Sequence, residues 1–209
     1  MTAGLDLWAN REFPYRATEH RGTEELDLLR LSGPGTGRYL FTATHSVRSI
    51  RRGVLKQADM GTGGLAEALA ELTASIALTV VGRQTGDPNW DVEIGAFKRE
   101  VLARPGLVVI DVHGFREDRP EDLIVGLGPA PSPAVRALAD RLLAMAAANG
   151  LVARCGAPFD ATWPGTITAT VQVAGGVALQ LEVAGRARRP ITRPETTGPL
   201  LGVLLAWLA

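Results

Sequence analysis

Two histidines occupy positions from which their side chains could bind a metal ion. His45 directly follows residues 38–44, which are predicted to form a strand, and His113 follows the apolar residues 107–110, with Asp111 two positions before it. Imidazole is a preferred zinc ligand, and catalytic zinc sites commonly combine two histidines with a carboxylate and an open position for water. Asp111 shares a strand face with His113 and could accept a hydrogen bond from the imidazole nitrogen that is not on the metal. Either histidine alone is more typical of a hydrogen-bonded residue at a strand end, but the pair favours a metal site.

Two carboxylates could complete such a centre. Asp59 lies beyond the loop that follows His45 and just before a helix. It is therefore equally compatible with a third metal ligand and with a residue that caps the helix N-terminus or interacts with its dipole. Glu182 shares one strand face with Gln180, and simple alternation would place both in solvent. Beside a metal ion, Glu182 would instead act as general base for the attacking water and then as proton donor.

The segments around these residues alternate between strands and helices. Period-two apolar patterns and short apolar runs predict strands, whereas period-3.6 patterns predict helices. The predicted strands are residues 25–31, 38–44, 78–82, 107–110, 122–128, 151–155, 167–173 and 177–183. Four helices are predicted. The first begins at residue 61 or 62 and its apolar stripe reaches Ile76, and the second covers 91–103. The third runs from Val135 to a stop at 149–150, and the fourth covers 198–209.

This order predicts one domain over residues 1–209, an α/β domain of three layers, α/β/α, with a mixed, mostly parallel sheet. Residues 107–110 are apolar on both faces, as a central strand requires. Residues 167–173 and 177–183 are predicted to form a hairpin through 174–176. Ligand sites in such sheets form at the carboxyl ends of central strands, where His45 and His113 lie.

Composition excludes several classes of partner. Lys and Arg together number 22, as do Asp and Glu, so the formal net charge is zero and neither nucleic acid nor an anionic membrane is an expected partner. The single cysteine, Cys155, cannot form an intrachain disulfide and is predicted to be a small buried apolar residue. Residues 198–209 are too short to span a bilayer, which takes about 20 apolar residues. Charges within residues 1–16 argue against a secretory signal, so we expect a cytoplasmic protein.

Two further features have simpler interpretations. The glycine-rich residues 32–37 lack the Gly-Lys-Ser/Thr ending of a phosphate loop and lead into a strand, which disfavours phosphate binding. His20 lies in a polar stretch and is predicted to be exposed to solvent.

Five ordered segments resemble the N-formylglutamate amidohydrolase family, whose members share the zinc-carboxypeptidase-like α/β fold and hydrolyse amide bonds. Each segment is short, and their order and spacing over roughly residues 42–189 carry the resemblance. The segments are His45-Ser46, Asp59-Met60-Gly61-Thr62-Gly63, Gly86-Asp87-Pro88-Asn89-Trp90-Asp91, Asp111-Val112-His113-Gly114 and Ala178-Leu179-Gln180-Leu181-Glu182.

The resemblance implies a role for each candidate. His45, Asp59 and His113 would hold zinc or another divalent metal ion, and Glu182 would be the catalytic carboxylate. Asn89 would line the pocket. Arginine can bind a carboxylate through two hydrogen bonds, although a position in a solvated loop is the more typical interpretation for each candidate taken alone. The arginines that could hold a substrate carboxylate in this way are Arg116 and Arg186.

These residues predict a metal-dependent amidohydrolase that cleaves the amide bond of a small N-acyl amino acid, N-formyl compounds included, with a zinc-activated water. Its partner would be that small molecule or a short peptide, and the sequence leaves the oligomeric state open. Two alternatives remain. One is a zinc carboxypeptidase or cell-wall peptide amidase of the same fold, and the other is a non-catalytic binding protein that retains the fold.

Overall fold

The computed structural model describes residues 2–209. The helices are α1 (Thr2–Ala17), α2 (Thr62–Leu72), α3 (Ala96–Leu102), α4 (Pro133–Ala148), α5 (Ile167–Val173) and α6 (Pro194–Leu208). The strands are β1 (Thr23–Leu26), β2 (Leu29–Ser32), β3 (Tyr39–Ala43), β4 (Ser49–Arg51), β5 (Val54–Lys56), β6 (Ile76–Val80), β7 (Gly82–Arg83), β8 (Val108–Phe115), β9 (Leu123–Gly126), β10 (Ala153–Cys155) and β11 (Val177–Ala184).

A seven-stranded sheet in the order β10-β9-β11-β8-β3-β6-β2 forms the centre of the molecule. Its neighbouring strands are parallel except for two antiparallel pairs, β11 with β9 and β2 with β6. Strands β1 and β7 form a separate parallel pair, and β4 and β5 form an antiparallel one. Because β11, β8 and β3 are consecutive parallel strands, their carboxyl ends lie at the same edge of the sheet.

Helices cover both faces of this sheet, and alternation along the strands decides which residues meet which layer. On β8, Ile110 and Val112 pack into a core with α1, α2, α4 and α6, whereas Val109 packs into a second core with α3 and α5. Each fully buried side chain of this kind contributes roughly 1.5–3 kcal/mol to stability. Asp111 and His113 alternate with Val112 and therefore lie on the α3 and α5 side.

The predicted three-layer α/β architecture is confirmed, and several elements lie close to their predicted positions. Strand β8 is longer than predicted and runs on to Phe115, because residues 108–115 all pair with β11. His113 consequently lies inside a strand rather than beyond its end. Helix α2 ends at Leu72, and Ile76 begins β6, since Ala74 adopts a left-handed conformation with φ of 54° that interrupts the helix.

The predicted hairpin of residues 167–173 with 177–183 is wrong, because residues 167–173 form helix α5. Its β-branched composition favours a strand, but capping hydrogen bonds with the neighbouring Thr166 and the distant Asn89 override that preference. The Thr166 hydroxyl accepts a hydrogen bond from the Ala169 amide at 3.0 Å, and the side-chain Oδ1 of Asn89 accepts one from the Ile167 amide at 2.9 Å. These bonds satisfy amide groups that a helix N-terminus leaves unpaired.

Three other elements in the N-terminal half of the chain differ from the prediction. The strand predicted over 25–31 divides at Asp27, which has a φ of 52°, into β1 and β2. Helix α3 starts at Ala96 rather than at 91, and Ile94 is exposed. Helix α1 was not predicted, since its low amphipathicity gives little periodic signal, yet its Trp8 is fully buried.

Two remaining segments behave as their sequences suggest. Helix α6 buries most of its apolar side chains, as predicted for the C-terminal segment. The amides of Gly35, Thr36 and Gly37 donate to the Ser75 and Ala74 carbonyls, so the glycine-rich turn uses these groups internally. No helix within residues 2–209 combines the length and apolar character needed to cross a bilayer.

Candidate metal centre

Three predicted ligands converge at the carboxyl ends of β3 and β8. His45 lies two residues beyond β3, His113 lies within β8, and Asp59 lies in the loop between β5 and α2. The Asp59 amide donates to the His45 carbonyl at 2.8 Å, and the Gly114 amide donates to Asp59 Oδ2 at 3.3 Å. These bonds tie the Asp59 loop to both strands.

The candidate ligand atoms form a compact triangle. His45 Nδ1 lies 3.0 Å from His113 Nδ1, while Asp59 Oδ2 lies 3.3 Å from His45 Nδ1 and 3.2 Å from His113 Nδ1. A tetrahedral ion with bonds of about 2.0–2.1 Å places its ligand atoms about 3.3 Å apart. The triangle therefore has the dimensions of one face of such a coordination shell.

The other nitrogen of each imidazole is held by a buried carboxylate. His45 Nε2 donates to Asp87 Oδ1 at 2.7 Å, and His113 Nε2 donates to Asp111 Oδ2 at 3.0 Å. Because an ionised carboxylate only accepts hydrogen bonds, each neutral imidazole carries its proton on Nε2 and a lone pair on Nδ1. Metal-binding histidines are usually held in this way, with a carboxylate on the imidazole nitrogen that does not face the metal.

Three acceptors thus face one another: the two Nδ1 lone pairs and one carboxylate oxygen. Such a group is stable only with a positive charge at its centre, supplied by a proton on one imidazole or by a bound cation. The donor set of two imidazoles and one carboxylate suits zinc and similar divalent ions. The residues present therefore fit the predicted metal.

The electrostatics show how strongly these groups interact. Burial raises the pKa of Asp59, but hydrogen bonds with His113 and His45 and the charge of Lys56 outweigh it and hold that pKa well below its usual range. Burial lowers the pKa of His113, but Asp111, through its charge and hydrogen bond, and Asp59 raise it well above its usual value. The site is accordingly polarised toward a bound positive charge.

Glu182 lies directly beside this triangle on β11, where it is opposite His113 in the register. It is buried, which contradicts the alternative of a solvated strand face. Gln180 Nε2 donates to Glu182 Oε1 at 2.9 Å, whereas Glu182 Oε2 and Gln180 Oε1 have no hydrogen-bond partner among residues 2–209. Burial raises the pKa of Glu182 to about 8, with the charge of His113 lowering it and that of Asp59 raising it.

The alternative role of Asp59 as a cap for helix α2 is wrong. The N-cap residue of α2 is Gly61, which has a φ of 93° and no side-chain cap. Its amide and that of Gly64 instead donate to the two carboxylate oxygens of Glu12 from α1, each at 2.8 Å. Since Glu12 performs the capping, the Asp59 side chain is free for the centre.

The triangle opens onto a cavity of about 220 Å³. Asn89 lines it, as predicted, while its carboxamide oxygen also accepts the Ile167 amide. Trp90 and Trp163 stack with ring centroids 4.9 Å apart and form an aromatic wall. A volume of this size admits a small ligand or one end of a longer one.

The predicted carboxylate-binding arginines do not line this cavity. Arg116 is exposed, and Arg186 bonds Asp122 and the backbone carbonyls of residues 119–121. The cations in the cavity are Arg51 and Lys56, from the β4–β5 hairpin inserted between His45 and Asp59.

Asp87 and Arg51 are the site residues that sequence reasoning missed. Arg51 Nε donates to Asp87 Oδ2 at 2.8 Å, and its guanidinium lies 4.6 Å from the centroid of the Trp90 ring. Asp87 belongs to the Gly86–Asp91 segment that carries part of the family resemblance, which was a usable signal. For Arg51 the sequence offers none, because only the hairpin brings it to the cavity.

His20 is buried rather than exposed as predicted. It adopts a φ of 54° just after α1, and this turn directs it inward. Its Nδ1 lies 3.1 Å from the Ser46 carbonyl oxygen, and its Nε2 lies 3.6 Å from Glu12 Oε1. His20 therefore joins a polar group behind the centre.

Comparison with known proteins finds similarity in structure but not in sequence. No family model and no curated protein matches the chain. A bacteriophage poly-gamma-glutamate hydrolase is similar over 94% of this chain and 95% of its own, with a TM-score of 0.59 and 15% identity. Gene product Atu2144 from Agrobacterium tumefaciens is similar over 91% of this chain and 95% of its own, with a TM-score of 0.61 and 14% identity.

A third similar structure is the N-formylglutamate amidohydrolase from Ralstonia eutropha JMP134, with a TM-score of 0.58 and 12% identity over 87% of this chain and 96% of its own. The structural neighbours thus include a member of the family that the sequence resembles. The predicted fold class, of the zinc-carboxypeptidase-like kind, is confirmed. At such low identity these similarities concern the fold, and the chemistry rests on the residues of the centre.

Proposed function

We propose that this chain is a metal-dependent amidohydrolase that cleaves the amide bond of a small N-acyl amino acid and belongs to the N-formylglutamate amidohydrolase family. The observation that carries the proposal is the triangle of His45 Nδ1, His113 Nδ1 and Asp59 Oδ2, with the unpartnered Glu182 Oε2 beside it. Two neighbours of the same fold are, by name, a poly-gamma-glutamate hydrolase and an N-formylglutamate amidohydrolase.

His45, Asp59 and His113 would hold the metal ion, with zinc as the first candidate. When bound, such an ion polarises a substrate carbonyl and lowers the pKa of a coordinated water to about 7. Asp87 and Asp111 fix the imidazole orientations, so that little reorganisation accompanies binding.

Glu182 would perform the proton transfers. Its Oε1 is held by Gln180, which leaves Oε2 to take a proton from the attacking water. The same oxygen then delivers that proton to the nitrogen of the leaving amine as the C–N bond breaks. Burial favours a carboxyl that can both accept and release a proton near neutral pH, because it raises the pKa of Glu182.

Arg51 would bind the carboxylate of the substrate. Its Nε is committed to Asp87, whereas no partner among residues 2–209 bonds its terminal nitrogens. The Arg51–Asp87 bond also links the substrate-binding cation to the His45 side of the metal centre. Replacing Arg51 with Met should raise KM for carboxylate-bearing substrates more than it lowers kcat.

The test combines metal analysis with a substrate screen. Protein purified without chelator should contain about one equivalent of zinc or a similar ion, and should hydrolyse N-formyl or N-acetyl amino acids faster than short peptides. Preference for the peptides would support the carboxypeptidase or peptide-amidase alternative. Metal-loaded protein that binds these compounds without turnover would support a binding protein, and wild-type protein that binds no metal would overturn the proposal.

A further inference from the structure

We infer that Glu12 and Arg188 position Asp59 by holding, from opposite ends, the peptide group that joins Met60 to Gly61, and that this clamp sets the affinity of the centre for metal. The inference rests on the proposed metal centre. Glu12 lies on α1 and Arg188 follows β11, so that two distant parts of the chain meet at the residue after Asp59.

Arg188 is a buried arginine whose guanidinium is committed to backbone carbonyls. Its Nη1 donates to the Met60 carbonyl, its Nε to the Val183 carbonyl at 2.8 Å and its Nη2 to the Phe115 carbonyl at 3.1 Å. Met60 follows Asp59, Val183 follows Glu182, and Phe115 is two residues beyond His113. One side chain thus ties together the three segments that carry a ligand or the proposed base.

Glu12 holds the other end of the same peptide group. Its Oε1 accepts from the Gly61 amide and its Oε2 from the Gly64 amide, both at 2.8 Å. Trp8 Nε1 also donates to the Gly61 carbonyl at 2.9 Å. The carbonyl and the amide of the Met60–Gly61 peptide therefore both bond to buried charged side chains, which leaves the Asp59 loop little rotational freedom.

The glycines around Arg188 show how closely the clamp is packed. A Cβ atom on Gly114 would lie 2.2 Å from Arg188 Cζ, so the guanidinium rests directly on the backbone next to His113. A Cβ atom on Gly61 would lie 2.5 Å from the Arg188 carbonyl oxygen, and its φ of 93° is also unfavourable for other residues. Glycine at both positions is what this contact requires.

Arg188 acts through other residues and is therefore a positioning residue. It lines a second cavity, which it shares with Glu12 and His20 on the other side of the Met60–Gly61 peptide, and not the cavity that contains Glu182. Burial of its charge is costly unless it is compensated, and the carboxylates of Asp59, Glu182 and Glu12 provide that compensation. Removing the fork of hydrogen bonds should loosen Asp59 without removing any ligand.

The test measures metal affinity in Arg188→Lys, using zinc in competition with a chromophoric chelator and cobalt for its visible spectrum. Lysine keeps the charge, but its three donors lie on a single nitrogen and cannot reproduce the planar fork with which Arg188 reaches three separate carbonyls. We expect zinc to bind about 10- to 100-fold more weakly, the range for residues that support metal ligands, and the cobalt spectrum to shift as Asp59 moves. The control is Arg154→Lys, because Arg154 also bonds backbone carbonyls, those of Cys155 and Ala157, but in a segment without a ligand.

The outcomes separate this inference from the proposed function. Folded Arg188→Lys with the zinc affinity and cobalt spectrum of the wild type, or an equal loss in Arg154→Lys, would overturn the clamp while leaving the metal centre intact. A wild type that binds neither metal would overturn both. If Arg188→Lys does not fold, Glu12→Gln serves instead, since it keeps the side-chain size and one acceptor, and weaker zinc binding with a shifted spectrum is again expected.

Discussion

Two buried polar groups lie on either side of the Met60–Gly61 peptide, and they are built in opposite ways. In the rear group, behind the peptide, the Glu12 carboxylate accepts hydrogen bonds from backbone amides and the Arg188 guanidinium donates hydrogen bonds to backbone carbonyls. In the front group, on the other side of the peptide, the side chains of His45, Asp59 and His113 place three hydrogen-bond acceptor atoms next to one another.

The difference shows how to tell a supporting network from a site in a protein of unknown function. A supporting network satisfies its own polar groups, because an unsatisfied buried group costs about 1–3 kcal/mol. A site keeps an excess of one kind of group, which only a ligand can satisfy. In this chain the excess consists of acceptors, which is what a cation requires.

The largest expected effect comes from breaking the front group itself. His113→Ala removes one ligand and should lower both metal content and amide hydrolysis, the latter by more than about 10³-fold. Metal analysis and a rate assay on the same preparation measure this. His20→Ala, which removes a histidine from the rear group, is the matched control and should retain metal. Full metal content in His113→Ala would remove the distinction between the two groups.

Next in size is the loss of the proposed base. Glu182→Gln should retain metal but lower kcat by about 10²- to 10⁴-fold, because the amide cannot accept the proton of water. Since the active form is the carboxylate, wild-type kcat/KM should rise with pH up to the pKa of Glu182. Burial raises that pKa to about 8 in the metal-free protein, and a bound cation lowers it. The rising limb should be absent in Glu182→Gln, and a variant that keeps it would assign that limb to another group.

The rear group, which contains Glu12, Arg188 and His20, should also affect the stability of the folded chain, because the Glu12 carboxylate is buried. Burial raises the pKa of Glu12 to about 7, while hydrogen bonds from Gly64 and Gly61 and the charge of Arg188 lower it. Because the folded pKa lies above the unfolded one, this contribution is fully present below about pH 4.5 and is lost as the pH rises to about 7. It amounts to on the order of 3 kcal/mol.

Urea unfolding of wild type and Glu12→Gln between pH 4.5 and 8 measures that contribution. The difference between their free energies of unfolding should change with pH, because the wild type loses more stability than Glu12→Gln as the pH rises. The pKa of His20 is lowered by burial, which gives the opposite slope. Because His20 Nε2 lies 3.6 Å from Glu12 Oε1, the same comparison in a His20→Ala background separates the two contributions. Parallel curves for the two proteins would show that Glu12 does not titrate in this range.

The smallest effect tests the carboxylates behind the ligands. Asp87→Asn should weaken zinc binding about 10- to 100-fold, because the amide no longer accepts strongly from His45 Nε2 and Arg51 is released. Competition with a chelator measures it. Asp91→Asn, in the same loop but bonded to the Asp87 amide rather than to a histidine, is the control. Equal affinities in both variants would indicate that the loop, and not the Asp87 carboxylate, orients His45.

The sequence by itself indicated most of the candidate metal centre and its neighbours on the strands. His45, His113, Asp111 and Glu182 are set by strand ends and by alternation, which are local properties of the chain. For the same reason the α/β class and the strands β3, β8 and β11 could be predicted. Asp59 could be proposed as a ligand, but the sequence could not exclude that it caps helix α2. That alternative was excluded only because Glu12, which is 47 positions earlier in the chain, caps the helix instead.

Only the tertiary structure decided the rest, because it depends on contacts between residues distant in sequence. Residues 167–173 favour a strand by composition, yet Thr166 and Asn89 cap them as a helix. Arg51 reaches the cavity through a hairpin, while Arg186 is held by carbonyls elsewhere. Arg188 carries no sequence signal, since its hydrogen bonds go to carbonyls and the backbone carbonyl is the same in every residue.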